Sequence, residues 1–289
     1  MIKVIRIICT ATYRKRWLLT RRTVQLFILL AFLYSLPFVG DIATGNLSSS
    51  EWFGTIPLTD PFILLQSFLA GSSLAYPALI GALILAVFYA LFGGRIYCSW
   101  VCPINMLTDA AYWFRQRFNI KSNLSISKEL RKAVLLLALL LSFSAGSLAW
   151  EIVNPITLLQ RELMWASMAG SMFLLALFFF DLLVSHRGWC GHLCPVGAFY
   201  GFLGHFGRLR VTVNRAESCA GSSCSACMKV CPEPHVLVPV VSQTGNTVVS
   251  GDCTRCGACL DKCTSGVLSM KIDLGHKNSF KNIPIVTKK

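Results

Sequence analysis

The sequence predicts a membrane all-α protein: four transmembrane helices, in two related helix pairs, joined to a small α+β domain. Three features carry that reading. The 289 residues are 54% hydrophobic and only 14% charged, against about a quarter charged in ordinary soluble domains. The basic residues alternate between loops. After residue 207 the long apolar runs give way to a short cysteine-rich tail. Mean hydropathy is +0.60, which argues against a soluble globular enzyme and against disorder.

Four stretches, about 23–40, 74–92, 133–150 and 166–184, are apolar over the roughly 17–25 residues that a span requires. The first three carry no acidic or basic side chain, and the fourth contains Asp181. The stretch from Phe62 to Ala70 is too short to cross and reads as an interfacial or re-entrant piece.

Lys and Arg set the expected orientation. Residues 1–22 hold seven, the 41–73 loop none, the 93–132 loop seven, 151–165 only Arg161, and the chain from Arg187 onward twelve. This alternation predicts a bacterial inner-membrane protein with both termini cytoplasmic. It also explains the net charge of +14 topologically, so nucleic acid is not expected as a partner. The expected organisation is a basic N-terminus (1–22), a membrane domain (23–207), a cytoplasmic cysteine-rich domain (208–275) and a tail (276–289). Within the third part, Val236–Val241 and Thr247–Ser250 read as short strands.

Thirteen cysteines in a chain with long apolar runs point to metal or cluster ligation rather than a disulfide scaffold. Cys253, Cys256, Cys259 and Cys263 have the C-x2-C-x2-C-x3-C spacing of a bacterial [4Fe–4S] run. Three thiolates on a tight loop each reach one iron of a cubane, and the fourth, a helical turn away, reaches a different cluster. Upstream, Cys224, Cys227 and Cys231 repeat the x2 and x3 steps, and Cys219 precedes them at x4. Crossed ligation puts Cys219, Cys224, Cys227 and Cys263 on one cluster. Cys253, Cys256, Cys259 and Cys231 then hold the other. The tail thereby reads as a ferredoxin-like dicluster domain. Zinc, which favours separated C-x2-C pairs, fits this rhythm poorly.

A second cysteine pattern is repeated. Tyr97-Cys98-Ser99-Trp100-Val101-Cys102-Pro103 and Trp189-Cys190-Gly191-His192-Leu193-Cys194-Pro195 both read aromatic-C-x3-C-P, closely preceded by Gly and Arg. On a helix, residues i and i+4 share a face, so Cys98, Cys102, Cys190 and Cys194 could converge across the two halves. A third iron–sulfur or metal centre, a pair of exchanging dithiols and plain apolar packing are the alternatives. His192 lies within the second motif. No C-x-x-C-H, Walker motif or G-x-G-x-x-G occurs, which leaves covalent haem and nucleotide chemistry unsupported.

Clusters require an electron source, and quinol is the natural one for a membrane protein. Its oxidation releases protons, so carboxylates are sought at the site. Asp60 and Glu151, on the outer side with Asp41, Glu51 and Glu162, and Asp181, at the inner edge of the fourth span, are the candidate acceptors. Trp52, Trp150 and Trp165 beside them fit an interfacial aromatic belt. Asp181 is an ionisable residue within a span, and pairing with His186 or Arg187 is its structural alternative.

The residues resemble one known family. Pro57-Leu58-Thr59-Asp60-Pro61, both C-x3-C-P motifs, Trp150-Glu151-Ile152-Val153-Asn154-Pro155 and Cys231-Pro232-Glu233-Pro234-His235-Val236-Leu237 resemble the NapH family across about residues 20–270. These are ferredoxin-type membrane subunits of quinol-oxidising systems for periplasmic nitrate reduction. The resemblance implies four spans, cytoplasmic termini, two [4Fe–4S] clusters, a NapG-like periplasmic ferredoxin as partner and electron flow from the quinone pool toward periplasmic nitrate reductase. The x4 step at Cys219 departs from the family's x2. A polyferredoxin assembly factor that reduces a metal or thiols during oxidoreductase maturation is the alternative. A NosR-type regulator would need a larger outer domain than 41–73 supplies.

Overall fold

The computed structural model describes residues 15–33, 43–120, 124, 126–165, 168–213, 226–242, 245–263 and 265–273. Helix α1 (Arg16–Leu33) leads into a three-stranded antiparallel sheet of β1 (Ala43–Gly45), β2 (Ser49–Trp52) and β3 (Ile56–Thr59), with Ser49 opposite Thr59. Helix α2 (Pro61–Leu69) follows directly. The Asp60 side chain caps it by accepting the Phe62 N–H at 2.8 Å, and a proline fills its first turn. The piece read as interfacial or re-entrant is a short helix that packs inward. Its Phe62 and Gln66 are fully buried, and the Gln66 amide oxygen accepts from Ser142 Oγ and the Trp150 N–H.

Two similar halves come next. In the first, α3 (Tyr76–Phe92) runs to a wide five-residue turn, Tyr97–Val101, and then to α4 (Ile104–Arg117). After α5 (Glu129–Ala145), α6 (Ala149–Val153) and α7 (Pro155–Trp165) comes the second half. There α8 (Met168–Phe179), a wide turn at Phe180–Val184 and a second at Trp189–Leu193 lead to α9 (Pro195–Leu203). The halves meet backbone to backbone at Gly94, where a Cβ would stand 1.8 Å from the Tyr200 carbonyl oxygen. The shared core holds Phe62, Tyr89, Tyr97, Cys102, Trp150 and Tyr200, with Cys98, Cys190 and Cys194 packed against it.

A smaller core lies beyond. Strand β4 (Leu209–Val213) pairs antiparallel with β5 (Leu268–Ile272), Val211 opposite Met270. Short helices α10 (Ala226–Val230), α11 (Val238–Val241) and α12 (Ala258–Lys262) pack there around Val211, Val236, Leu237 and Val248.

Two expectations are corrected. Among the described residues no helix is long and apolar enough to cross a membrane, so the four-span class and the multi-pass inner-membrane placement do not stand. The apolar stretches are cut or charged by local structure. Helix α1 begins at Arg16 and carries Arg21 and Arg22. Helices α3 and α5 stop at 17 residues, and α5 opens on Glu129, Arg131 and Lys132. The 166–184 stretch holds only a 12-residue helix before its wide turn. The second correction concerns Val236–Val241, which is helical: Pro234–Leu237 forms a tight 3-10 turn that leads into α11. Pro234 and Pro239 cannot donate to a strand ladder and instead sit in helical first turns, where no N–H is needed.

Candidate iron–sulfur site

The two repeat motifs fold alike. Each cysteine pair brackets a wide turn rather than an α-helical one, closed by Cys102 N–H to the Tyr97 carbonyl and by Cys194 N–H to the Trp189 carbonyl, both 2.9 Å. Pro103 then precedes α4 as its N-cap residue, and Pro195 is the first residue of α9. The turns face each other: Cys102 lies within the electrostatic reach of Cys98 and Cys194, and Cys190 within that of Cys102, Cys194 and Cys98. None of the four is disulfide-bonded. Burial raises all four thiols, Cys194 to about 12, while Arg95 partly offsets it at Cys98. As bare thiols they are neutral and poor at exchange, which weighs against a working dithiol pair. Iron would displace those protons.

Cys231, Cys253, Cys256 and Cys259 line a single cavity, walled by Val211, Val236 and Leu237 and by the Thr254–Gly257 loop. They are one of the two crossed sets that the spacing predicts. Of the other set, Cys227 and Cys263 pack on the same small core, and Cys219 and Cys224 lie outside the described residues. Cys9 and Asp41 lie outside them too. Among the described residues no three His, Cys, Asp or Glu side chains converge tightly enough to hold a single metal ion. A zinc site needs all its sulfurs about 2.3 Å from one point, whereas a cubane spreads them over four irons.

The charges around the cavity fit an anionic occupant. Arg95, 2% exposed, donates to Glu233 Oε1 at 2.8 Å and to the Asp252 carbonyl at 3.1 Å. Arg131 donates to Asp252 Oδ1 at 2.5 Å, and Lys128 pairs with Glu233 Oε2 at 2.7 Å. Arg21, Arg22 and Arg187 all converge on Asp109. The carboxylates Glu233, Asp252 and Asp109 thus pair with six cations, and Arg255 donates to the Cys253 carbonyl in the cavity wall. Such an excess is costly when buried unless an anion balances it, and four thiolates around a cubane supply one. Burial by itself would raise the Glu233 carboxyl, but Arg95 and Lys128 outweigh it and bring it down to about 2.

Sequence reasoning used these arginines mainly for topology and missed Glu233, Asp252 and Asp109 as their partners. The available signal was the Arg three residues ahead of each first repeat cysteine. His235 shares Asp252 with Arg131, at 3.2 Å.

The three candidate proton acceptors divide. Asp60 is fully buried beneath the repeat, and Tyr200 donates to its Oδ1 at 3.1 Å. Tyr200 in turn stacks on Tyr97 at 4.8 Å between ring centroids. Burial lifts the Asp60 carboxyl to about 6, with the Phe62 N–H and the Tyr200 hydroxyl holding it partly back. Glu151 lies near enough to repel it and is bound by Ser48, Asn154 and Thr157. Asp181 stands apart. It accepts the Trp189 N–H at 3.0 Å beside Cys190, with Arg187 and Arg115 within electrostatic reach.

A family model described as a 4Fe-4S binding domain matches residues 74–121 and 165–214, the two halves that hold the repeat cysteines. The methylamine utilization ferredoxin-type protein MauN of Methylobacillus flagellatus is 66% identical over 96% of this chain and 97% of its own. The ferredoxin-type protein NapH of Escherichia coli is 46% identical over 88% of each chain, and MauN of Methylorubrum extorquens is also 46% identical over 88% of each. No solved structure matches the chain. By these relatives the chain belongs to the NapH and MauN ferredoxin-type proteins, and with the matched 4Fe-4S family model it is an iron–sulfur electron-transfer protein.

Proposed function

We propose that Cys231, Cys253, Cys256 and Cys259 ligate one [4Fe–4S] cluster, that Cys219, Cys224, Cys227 and Cys263 ligate a second, and that Cys98, Cys102, Cys190 and Cys194 form a third redox site. The single observation that carries this is the cavity lined by one complete crossed set. A cubane bound there takes up and gives back one electron at a time. The chain holds the repeat turns against that cavity, keeps both cysteine sets buried or half-buried and balances their charge with fixed cations.

Quinol is the proposed electron donor, and Asp60 the proposed acceptor of its protons. A carboxyl lifted to about 6 is near the working range of a general base, and Tyr200 links it to the repeat. Electrons then leave toward a NapG-like ferredoxin. The 66% identity to a methylamine utilization protein supports methylamine utilization as the system served. The 46% identity to NapH supports nitrate reduction as the second reading. Deleting the gene distinguishes them, since growth on methylamine fails in the first case and nitrate respiration in the second.

The decisive measurement is iron and acid-labile sulfide per chain, with EPR of the reduced protein after anaerobic purification. Two cubanes correspond to about eight irons and a third to about twelve. Cys256→Ser should remove about four, and Cys98→Ser should remove about four more only if the repeat holds a cluster. Zinc without labile sulfide would overturn the reading.

A further inference from the structure

We propose that Arg95 and Arg187, the matched arginines of the two repeats, clasp the tail cavity and set the reduction potential of the centre held by Cys231, Cys253, Cys256 and Cys259. The inference rests on the cluster reading of those cysteines given above. Each arginine stands three residues ahead of the first cysteine of its motif, and both are buried, at 2% and 9% exposure.

Arg95 joins three parts of the molecule with one guanidinium. It donates across the repeat to the Cys190 carbonyl at 3.2 Å, to the Asp252 carbonyl beside Cys253, and to Glu233, two residues after Cys231. Arg187 comes from the other half. It pairs with Asp109, and its charge lies within reach of Cys256, Cys190 and Cys231. It does so from a left-handed backbone with φ 53, a conformation uncommon for a residue with a side chain and held only where its surroundings enforce it. Arg95 thus contacts the cavity wall directly through Glu233, and Arg187, at the equivalent position of the other repeat, acts on Cys256 and Cys231 through space.

The charge argument fixes the direction. Reduction adds one negative charge to a buried centre, and nearby fixed cations stabilise that state in proportion to their closeness and the low local dielectric. Arginine stays charged under all working conditions and holds its fork rigidly. Both residues act as positioning and charge-balancing groups, so loss of either positive charge lowers the potential.

The test is an EPR-monitored redox titration of the anaerobically purified full chain, with Arg95→Gln, Arg95→Lys and Arg187→Gln beside it. The expected result is a lower midpoint in both glutamine variants and a midpoint near the parent's in Arg95→Lys. Cubane signals with unchanged midpoints in both glutamine variants would overturn the inference and leave the cluster assignment standing. Equal shifts in Arg95→Lys and Arg95→Gln would overturn it too, because geometry rather than charge would then be at work. Should Arg95→Gln lose its cubane, the midpoint of Arg187→Gln decides on the same terms. Absence of a cubane signal in the parent protein would remove the cluster reading itself.

Discussion

Ser99, inside the first cysteine repeat, donates its hydroxyl to the Thr254 carbonyl at 2.7 Å, inside the loop between Cys253 and Cys256. The neighbouring Trp100 indole donates to the Arg255 carbonyl at 3.2 Å. One repeat turn thus fixes the backbone that presents two cavity cysteines. In Ser99→Ala a buried carbonyl loses its donor, which costs about 1–3 kcal/mol. We expect a lower thermal midpoint and faster amide exchange at residues 254–256 than at β4. Unchanged exchange in that loop would show that the contact does not hold it.

Gly257 closes the same loop at φ 72, with its α-carbon face against Trp17 of α1. A Cβ there would stand 2.4 Å from the indole Cγ. Gly257→Ala combines a left-handed backbone penalty of about 1 kcal/mol or more with that clash. Adding Trp17→Ala should relieve the clash and leave the backbone part. A double-mutant cycle by chemical denaturation measures this, and strict additivity of the two changes would refute the packing argument.

The Asp60 carboxyl gives stability a pH dependence. Burial lifts it from an ordinary 3.8 to about 6, so between those values the folded state holds a proton that the unfolded chain has released. Stability from this group is full below about pH 4 and falls as pH rises toward 6, by roughly 2–3 kcal/mol. Asn keeps the helix cap and can still accept from Tyr200. Asp60→Asn should therefore flatten the denaturation midpoint over pH 4–6 and, under the proposed function, impair quinol oxidation. An unaltered pH profile would show that Asp60 does not titrate in this range.

What was readable in advance divides along local and long-range lines. The C-x3-C-P motifs and the run Cys253, Cys256, Cys259 are short-range spacings, and those three line one cavity with Cys231. The wide turns at Tyr97–Val101 and Trp189–Leu193 were read as α-helical because the i, i+4 rule does not distinguish the two. The partners of Arg95 lie 138 and 157 residues away. No local pattern announces such pairs, so its charge was assigned to topology. Val236–Val241 misled through its β-branched residues, although Pro239 already argued against a ladder. Hydropathy over the four long apolar stretches summed residues that the fold divides among separate helices and turns.

Glu233 should show the opposite pH behaviour to Asp60. It is nearly buried and accepts from Arg95, Lys128 and Arg131, at 2.8, 2.7 and 3.4 Å. Burial opposes its ionisation, yet Arg95 and Lys128 hold its carboxyl down from 4.5 to about 2. The folded state is therefore ionised where the unfolded chain takes up a proton. This stabilisation is full above about pH 4.5 and is lost as pH falls toward 2, about 3 kcal/mol in all. Glu233→Gln removes the charge while Arg95 and Arg131 stay buried, so it should destabilise by about 3–5 kcal/mol near neutrality. The gap to the parent should narrow on acidification below pH 4.5. Paired denaturation curves at pH 3 and pH 7 test this: a constant gap would mean that the carboxylate is not the counter-charge that holds the two arginines beside the cysteine cavity.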